Sequence, residues 1–139
     1  EDYYLDIICA NLLNEEIRSG FQVFVLPNLY GDIITDEAAQ IQGGVGTAGS
    51  ANVGDRYAMF EAVHGSAPRL VEAGLGEYAS PESILRAEAL LLSHAGFARA
   101  AERLNGVLDE VSARVLCDGT AKGNKASDFG DAVLAALAK

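Results

Sequence analysis

The sequence predicts an α/β fold, and three observations predict it. Phe21 to Leu26 (FQVFVL) is a short, β-branched and almost wholly apolar run, as expected of a strand covered on both faces. Segments with apolar residues at helical spacing lie on either side of it. A glycine-rich passage then leads to a second short apolar run, Tyr57 to Ala62 (YAMFEA). Helices alternate with strands only in the first half. Strands this few do not close a parallel sheet, so the remaining strands are expected from outside these residues.

Taken in order, Leu5, Ile8, Cys9, Leu12 and Leu13 recur at helical spacing, which predicts a helix over 3–14. Asp6 shares a face with Cys9, Ala10 and Leu13, where an acid is costly to bury unless paired. The chain from Asn14 to Gly20 closes that helix, FQVFVL follows as a strand, and Pro27 stops it. The residues from Asn28 to Gly31 read as a turn, with Asp32 as N-cap of a helix running to about Gln42. Ile33, Ile34, Ala38 and Ile41 give that helix its apolar face. The stretch from Gly43 to Asp55 (GGVGTAGSANVGD) is too rich in glycine for a helix interior and reads as a loop. A strand from Tyr57 to Ala62 and a long loop from Val63 to Ser80 come next. Ser80 and Pro81 open a helix, as N-cap and first-turn proline, and Gly96 ends it. Phe97, Ala101, Leu104, Leu108, Val111 and Val115 alternate steps of four and three along another helix. A polar loop from Asp118 to Ala126 precedes a last helix capped by Ser127, with Val133, Leu134 and Leu137 inward.

Composition narrows the function. Of the 139 residues, 50% are hydrophobic and 22% charged, so the chain can bury a core. A formal charge of -10 argues against a nucleic-acid partner and against an anionic membrane surface. No apolar run reaches the roughly 18 residues that span a bilayer. Cys9 and Cys117 match no metal or redox spacing, and read as free thiols in a reducing compartment. The first residue, Glu1, is not Met, and a trimmed start is the expectation.

Three aspartates stand where chemistry is plausible. Asp32 and Asp36 are four apart, one helical turn, directly after an apolar run. Magnesium and manganese want oxygen ligands, usually a few carboxylates plus water and substrate. Sites in α/β sheets lie outside the carboxyl ends of strands. A helix cap beside a solvated first-turn acid explains the same spacing. Gly43, Gly44, Gly46 and Gly49 let a backbone approach a ligand closely, yet they do not match the G-x-G-x-x-G fingerprint. The HGSAP segment (His64, Gly65, Ser66, Ala67, Pro68) offers an imidazole and open amides for a nucleotide, or forms a turn with a surface histidine.

Together these segments resemble the isocitrate/3-isopropylmalate/homoisocitrate dehydrogenase family. NLYGDIITD (Asn28–Asp36) looks like its metal signature, and GGVGTAGSANVGDRYAMFEAVHGSAP (Gly43–Pro68) like its dinucleotide-binding region. The similarity continues more loosely to SDFGDAV (Ser127–Val133). The resemblance implies the C-terminal part of that family's two-domain, non-Rossmann α/β fold. Residues 1–42 would end the small domain, which forms the dimer and binds metal, and residues 43–139 would return to the large dinucleotide-binding domain. It implies Asp32 and Asp36 on Mg²⁺ or Mn²⁺, with Asp6 completing the site of the partner in a homodimer. It implies His64, Gly65, Ser66 and Ala67 along the adenosine end of the cofactor, Gly46 near the dinucleotide, and Glu61 toward the nicotinamide.

The implied activity is oxidative decarboxylation of a small 2-hydroxy acid in the cytoplasm, isocitrate in the tricarboxylic acid cycle before its isopropylmalate and homoisocitrate counterparts. A non-catalytic regulatory subunit of the family is the alternative. Retention of Asp6, Asp32 and Asp36 favours a catalytic one. The implied substrate arginines and the acid/base Tyr and Lys are not in this chain, whose lysines are Lys122, Lys125 and Lys139. No catalytic residue is therefore expected here, and the chain alone is expected to be inactive. Arg69 follows HGSAP where an acid marks NAD specificity, and a cation there could meet the 2′-phosphate of NADP. Leu70 in place of a tyrosine turns the reading toward NAD, with NADP as the alternative, and Ser80 replaces the family's asparagine before proline.

Overall fold

A computed structural model describes residues 2–139. The chain divides into two compact units, Glu1–Val45 and Gly46–Lys139.

The first unit holds three helices: α1 (Leu5–Leu13), α2 (Glu15–Arg18) and α3 (Asn28–Gln42). Asn14 separates α1 from α2 because its side chain accepts from the amides of Glu16 and Ile17, capping the new helix. The core is small, with Ile8, Leu12 and Ile34 buried and Leu5, Cys9, Phe21 and Leu26 packed around them. Several expectations change here. Asp6 faces solvent, because the inward stripe of α1 is Leu5, Ile8, Cys9 and Leu12. Helix α3 begins at Asn28, so NLYG is its first turn and Asp32 an interior position rather than a cap. Its buried residues are Ile34 and Ala39, while Ile33, Ala38 and Ile41 are exposed. Gly43, at φ 138°, ends it by donating to the carbonyls of Ala39 and Gln40.

The FQVFVL strand does not form. Residues 22–26 take no regular secondary structure, and their backbone groups join no hydrogen bond among the described residues. Val23 is 80% exposed and Val25 93%. A strand exists only through its ladder, and these residues meet no neighbouring strand to pair with.

The second unit is an antiparallel hairpin against helices. Strands β1 (Gly49–Val53) and β2 (Ala58–Ala62) pair from Gly49 with Ala62 to Val53 with Ala58. The glycine passage thus contains a strand, one that alternates too few apolar residues to read as such. Helix α4 (Pro68–Glu72) and a 3₁₀ turn (Gly76–Tyr78) occupy the expected long loop. Helices α5 (Glu82–His94), α6 (Ala98–Ser112) and α7 (Ala126–Leu137) complete the unit. Ser80 accepts from the amide of Glu82 at 3.3 Å, but the helix starts two residues after it, with Pro81 at the cap position. Lys125, not Ser127, precedes α7, and the Asp128 carboxylate accepts its amide at 2.9 Å.

The core of this unit is Ala89, Leu104, Leu108, Val111, Phe129 and Val133, joining α5, α6 and α7. Phe97 and Leu134 turn outward. Gly49 lies flush against α5, where a Cβ would stand 2.7 Å from the Arg86 carbonyl carbon and 2.8 Å from the Ala87 Cα. Arg86 binds the buried Glu82 at 2.8 Å and Asp109 of α6 at 2.7 Å. Burial disfavours its charge, the two carboxylates outweigh that, and the guanidinium pKa rises.

Candidate functional site

In the first unit, Asp32 and Asp36 occupy successive turns of one helix, so their side chains leave from neighbouring points on its surface. Both are exposed, and neither carboxylate has a hydrogen bond or ion pair among the described residues. The Thr35 hydroxyl between them turns back to the carbonyls of Gly31 at 2.8 Å and Asp32 at 3.1 Å, so it does not engage either acid. On α1, one oxygen of Asp6 accepts the Ile7 amide at 2.9 Å. No set of three metal-ligating side chains converges among the described residues. The pair Asp32/Asp36 fits a hard divalent cation in donor type, and supplies two of the ligands such an ion takes. Nearby, the Cys9 thiol donates to the Glu37 carboxylate, and this bond first and burial second raise its pKa above the usual range, which disfavours the thiolate.

In the second unit, the HGSAP segment leaves β2 and enters α4. The amides of Gly65, Ser66 and Ala67 donate to no described residue, and all three residues are exposed. Ala67 sits in the left-handed region at φ 45°, ψ 58°, and the amide of Leu70 donates to its carbonyl at 2.9 Å. A non-glycine residue there is strained, and such strain gathers at ligand-binding segments. His64 Nδ1 contacts the Gly65 carbonyl at 2.9 Å. Arg69, on α4, is exposed and has no ion pair among the described residues. Glu61 accepts from the Asn52 amide at 2.9 Å across the hairpin.

The fold brings several of these positions together. Gly46 lies beside Ser80, whose Cβ would be 3.9 Å from a Cβ on that glycine. Ser83, one turn further along, is wholly buried. Its hydroxyl accepts the Val63 amide at 3.1 Å and donates to the Ala48 carbonyl. Sequence reading missed Ser83. Its only signal is a small polar residue in the first turn of a helix that also buries Glu82, Ala87 and Ala89.

These features of sequence and geometry match known proteins. The model of the isocitrate/isopropylmalate dehydrogenase family covers residues 1–133. The chain belongs to that family. It is 52% identical over 97 residues to an isocitrate dehydrogenase [NADP] of Rickettsia prowazekii, covering 69% of this chain and 19% of that protein. It is 46% identical over 138 residues to a 3-isopropylmalate dehydrogenase of Clavibacter sepedonicus, covering 96% of this chain and 38% of that one. The crystal structure of isocitrate dehydrogenase from Methylococcus capsulatus superposes with a TM-score of 0.85 at 33% identity, over 99% of this chain and 40% of that one. The chain therefore spans well under half the length of these relatives. The family is one of decarboxylating dehydrogenases with a mixed helix-and-strand fold acting on small molecules, and no helix of the described residues is long and apolar enough to cross a membrane.

Proposed function

We propose that this chain carries the metal carboxylates and the dinucleotide-binding loops of an isocitrate dehydrogenase, which oxidatively decarboxylates isocitrate to 2-oxoglutarate. The observation that carries the reading is the pair Asp32 and Asp36: exposed, one turn apart and without a side-chain partner among the described residues, within a chain matched by the family model over residues 1–133. When bound, Mg²⁺ or Mn²⁺ polarises the substrate oxygens and stabilises negative charge developing on them. Asp32 and Asp36 hold it from one protomer, and Asp6 of a second copy supplies the ligand that one chain does not bring. The exposed amides of Gly65, Ser66 and Ala67, which donate to no described residue, and the His64 ring would hold the adenosine end of the dinucleotide, whose nicotinamide would supply the hydride acceptor. Gly46 and Ser80 border it, and Glu61 lies toward the nicotinamide.

The dinucleotide we propose is NADP, in place of the NAD that the residues after HGSAP suggest. Two facts support this: the Rickettsia relative is named for NADP, and Arg69 is a solvent-facing cation without an ion pair among the described residues. A guanidinium is well suited to a 2′-phosphate. The second substrate reading, 3-isopropylmalate, is favoured by the match over 96% of the chain to an enzyme of that name.

A chimera tests all of this. The chain replaces the aligned part of the Methylococcus enzyme, and turnover of isocitrate and of 3-isopropylmalate is measured with Mn²⁺. Asp32→Asn is expected to lower kcat/KM by at least about a hundredfold and to raise the Mn²⁺ requirement, as loss of a ligand does. Arg69→Asp is expected to shift preference from NADP toward NAD. Full activity in Asp32→Asn would sink the metal assignment.

A further inference from the structure

We propose that Ser83 is a positioning residue for the dinucleotide site, one hydroxyl that fixes the spacing between the glycine loop and the HGSAP loop. The proposal rests on the reading of those loops as the dinucleotide site.

The β1–β2 ladder ends at the pair Gly49 and Ala62. Beyond it the two chains part, one running back through Ala48 to Gly46 and the other forward through Val63 to His64. No further rung of the ladder holds these exits together. Ser83 replaces that rung: it takes the Val63 amide and gives its own proton to the Ala48 carbonyl. A hydroxyl donates and accepts at once, and no apolar side chain can do both. The residue is wholly buried, so water does not substitute for it. It stands on the first turn of α5, near the entry at which Ser80 approaches Gly46, and Gly49 presses on Ala87 one turn further on. The start of α5 thus gathers Gly46, Ala48 and Val63, and His64 follows directly. Loop ends held this way keep the binding amides pre-set rather than ordered at the moment of binding.

The test uses the chimeric enzyme described above and NADPH, with Kd read by fluorescence titration and amide exchange by mass spectrometry well below the melting temperature. Ser83→Ala is expected to weaken NADPH on the order of tenfold, because a small misplacement of binding groups carries a large penalty. It is also expected to speed hydrogen exchange at the Val63 amide. Ser83→Thr, which keeps the hydroxyl, is expected to restore both. If Ser83→Ala does not fold, Ser83→Cys, with similar volume and weaker hydrogen bonds, is read in the same way. NADPH affinity within about twofold of the parent in Ser83→Ala, with affinity lost in His64→Ala, overturns the proposal, since a purely structural serine lowers the melting temperature and leaves Kd alone. Affinity unchanged in His64→Ala, Gly46→Val and Ser83→Ala together overturns the loop assignment itself.

Discussion

The two units of this chain solve the same problem to different degrees. The second, Gly46–Lys139, buries six apolar side chains from three helices in one cluster, with Phe129 at 1% and Leu108 and Val111 at 0% exposure. The first, Glu1–Val45, gathers three in its cluster, and leaves the apolar residues Val23 and Val25 in solvent beside backbone groups that join no hydrogen bond among the described residues. The difference teaches which part of the fold carries the larger core. Apolar surface exposed together with unpaired strand-forming backbone is stabilised only by a neighbour. The candidate dinucleotide loops hang on the better-packed unit, and the candidate metal carboxylates on the other.

The sharpest way to break that comparison is a pair of core truncations. Phe129→Ala is expected to cost about 4 kcal/mol, since a fully enclosed ring leaves a cavity that its neighbours cannot fill. Ile34→Ala is expected to cost about 2 kcal/mol, at the low end for such a change, because its small surroundings can collapse. Urea unfolding followed by residue-resolved hydrogen exchange measures both. In the parent chain, amides of α5 and α6 are expected to exchange through global opening, and those of α1 and α3 through a cheaper local one. Equal protection in both units would dissolve the contrast.

The same contrast explains how much could be read from sequence. The helices of the second unit were legible because Ala101, Leu104, Leu108 and Val111 repeat at steps that one core satisfies. FQVFVL was misread because composition describes a residue's preference and not its partners. A β-branched apolar run is a strand only where a ladder receives it. Helix α3 starts five residues earlier than its sequence suggests, because Asp32 is a good cap by type, whereas Pro27 already sets the helix entry. At the candidate site, Asp32, Asp36 and the HGSAP segment were visible as motifs. Ser83 was not, since its importance lies in Ala48 and Val63, which are 35 and 20 residues away along the chain. The strain at Ala67 was invisible too, because alanine gives no hint of positive φ.

A second prediction separates two glycines within the well-packed unit. Gly49→Ala is expected to destabilise by about 1–3 kcal/mol, because the new methyl would meet the backbone of α5 and neither chain can yield freely. Gly106→Ala, in the exposed middle of α6 with open space around it, is expected to stabilise by about 0.5–1 kcal/mol through helix propensity alone. Melting temperatures of the two variants should move in opposite directions. A neutral Gly49→Ala would mean that β1 can move away from α5 at little cost, and would weaken the case for the clip at Ser83.

The smallest effect concerns whether the second unit is equally complete in its polar loops. Asp118 accepts from both the Thr120 hydroxyl at 2.8 Å and the Thr120 amide at 2.9 Å. These bonds favour the charged form, the hydroxyl most, and hold the carboxyl below its ordinary value. A depressed folded-state pKa contributes stability above the unfolded carboxylate value, and that contribution is lost as pH falls through the depressed one. Thr120→Ala removes the hydroxyl and is expected to return the Asp118 pKa toward the ordinary value, which a carboxyl NMR titration reads directly. The preceding amide, that of Gly119, donates to the Tyr78 carbonyl at 3.0 Å, so this loop finds partners within its own unit where residues 22–26 of the first unit find none among the described residues. An Asp118 that titrates identically in the variant would show that the amide alone holds it. The loop would then owe its order to the backbone, and self-sufficiency in this unit would rest on its apolar core and not on its polar turns.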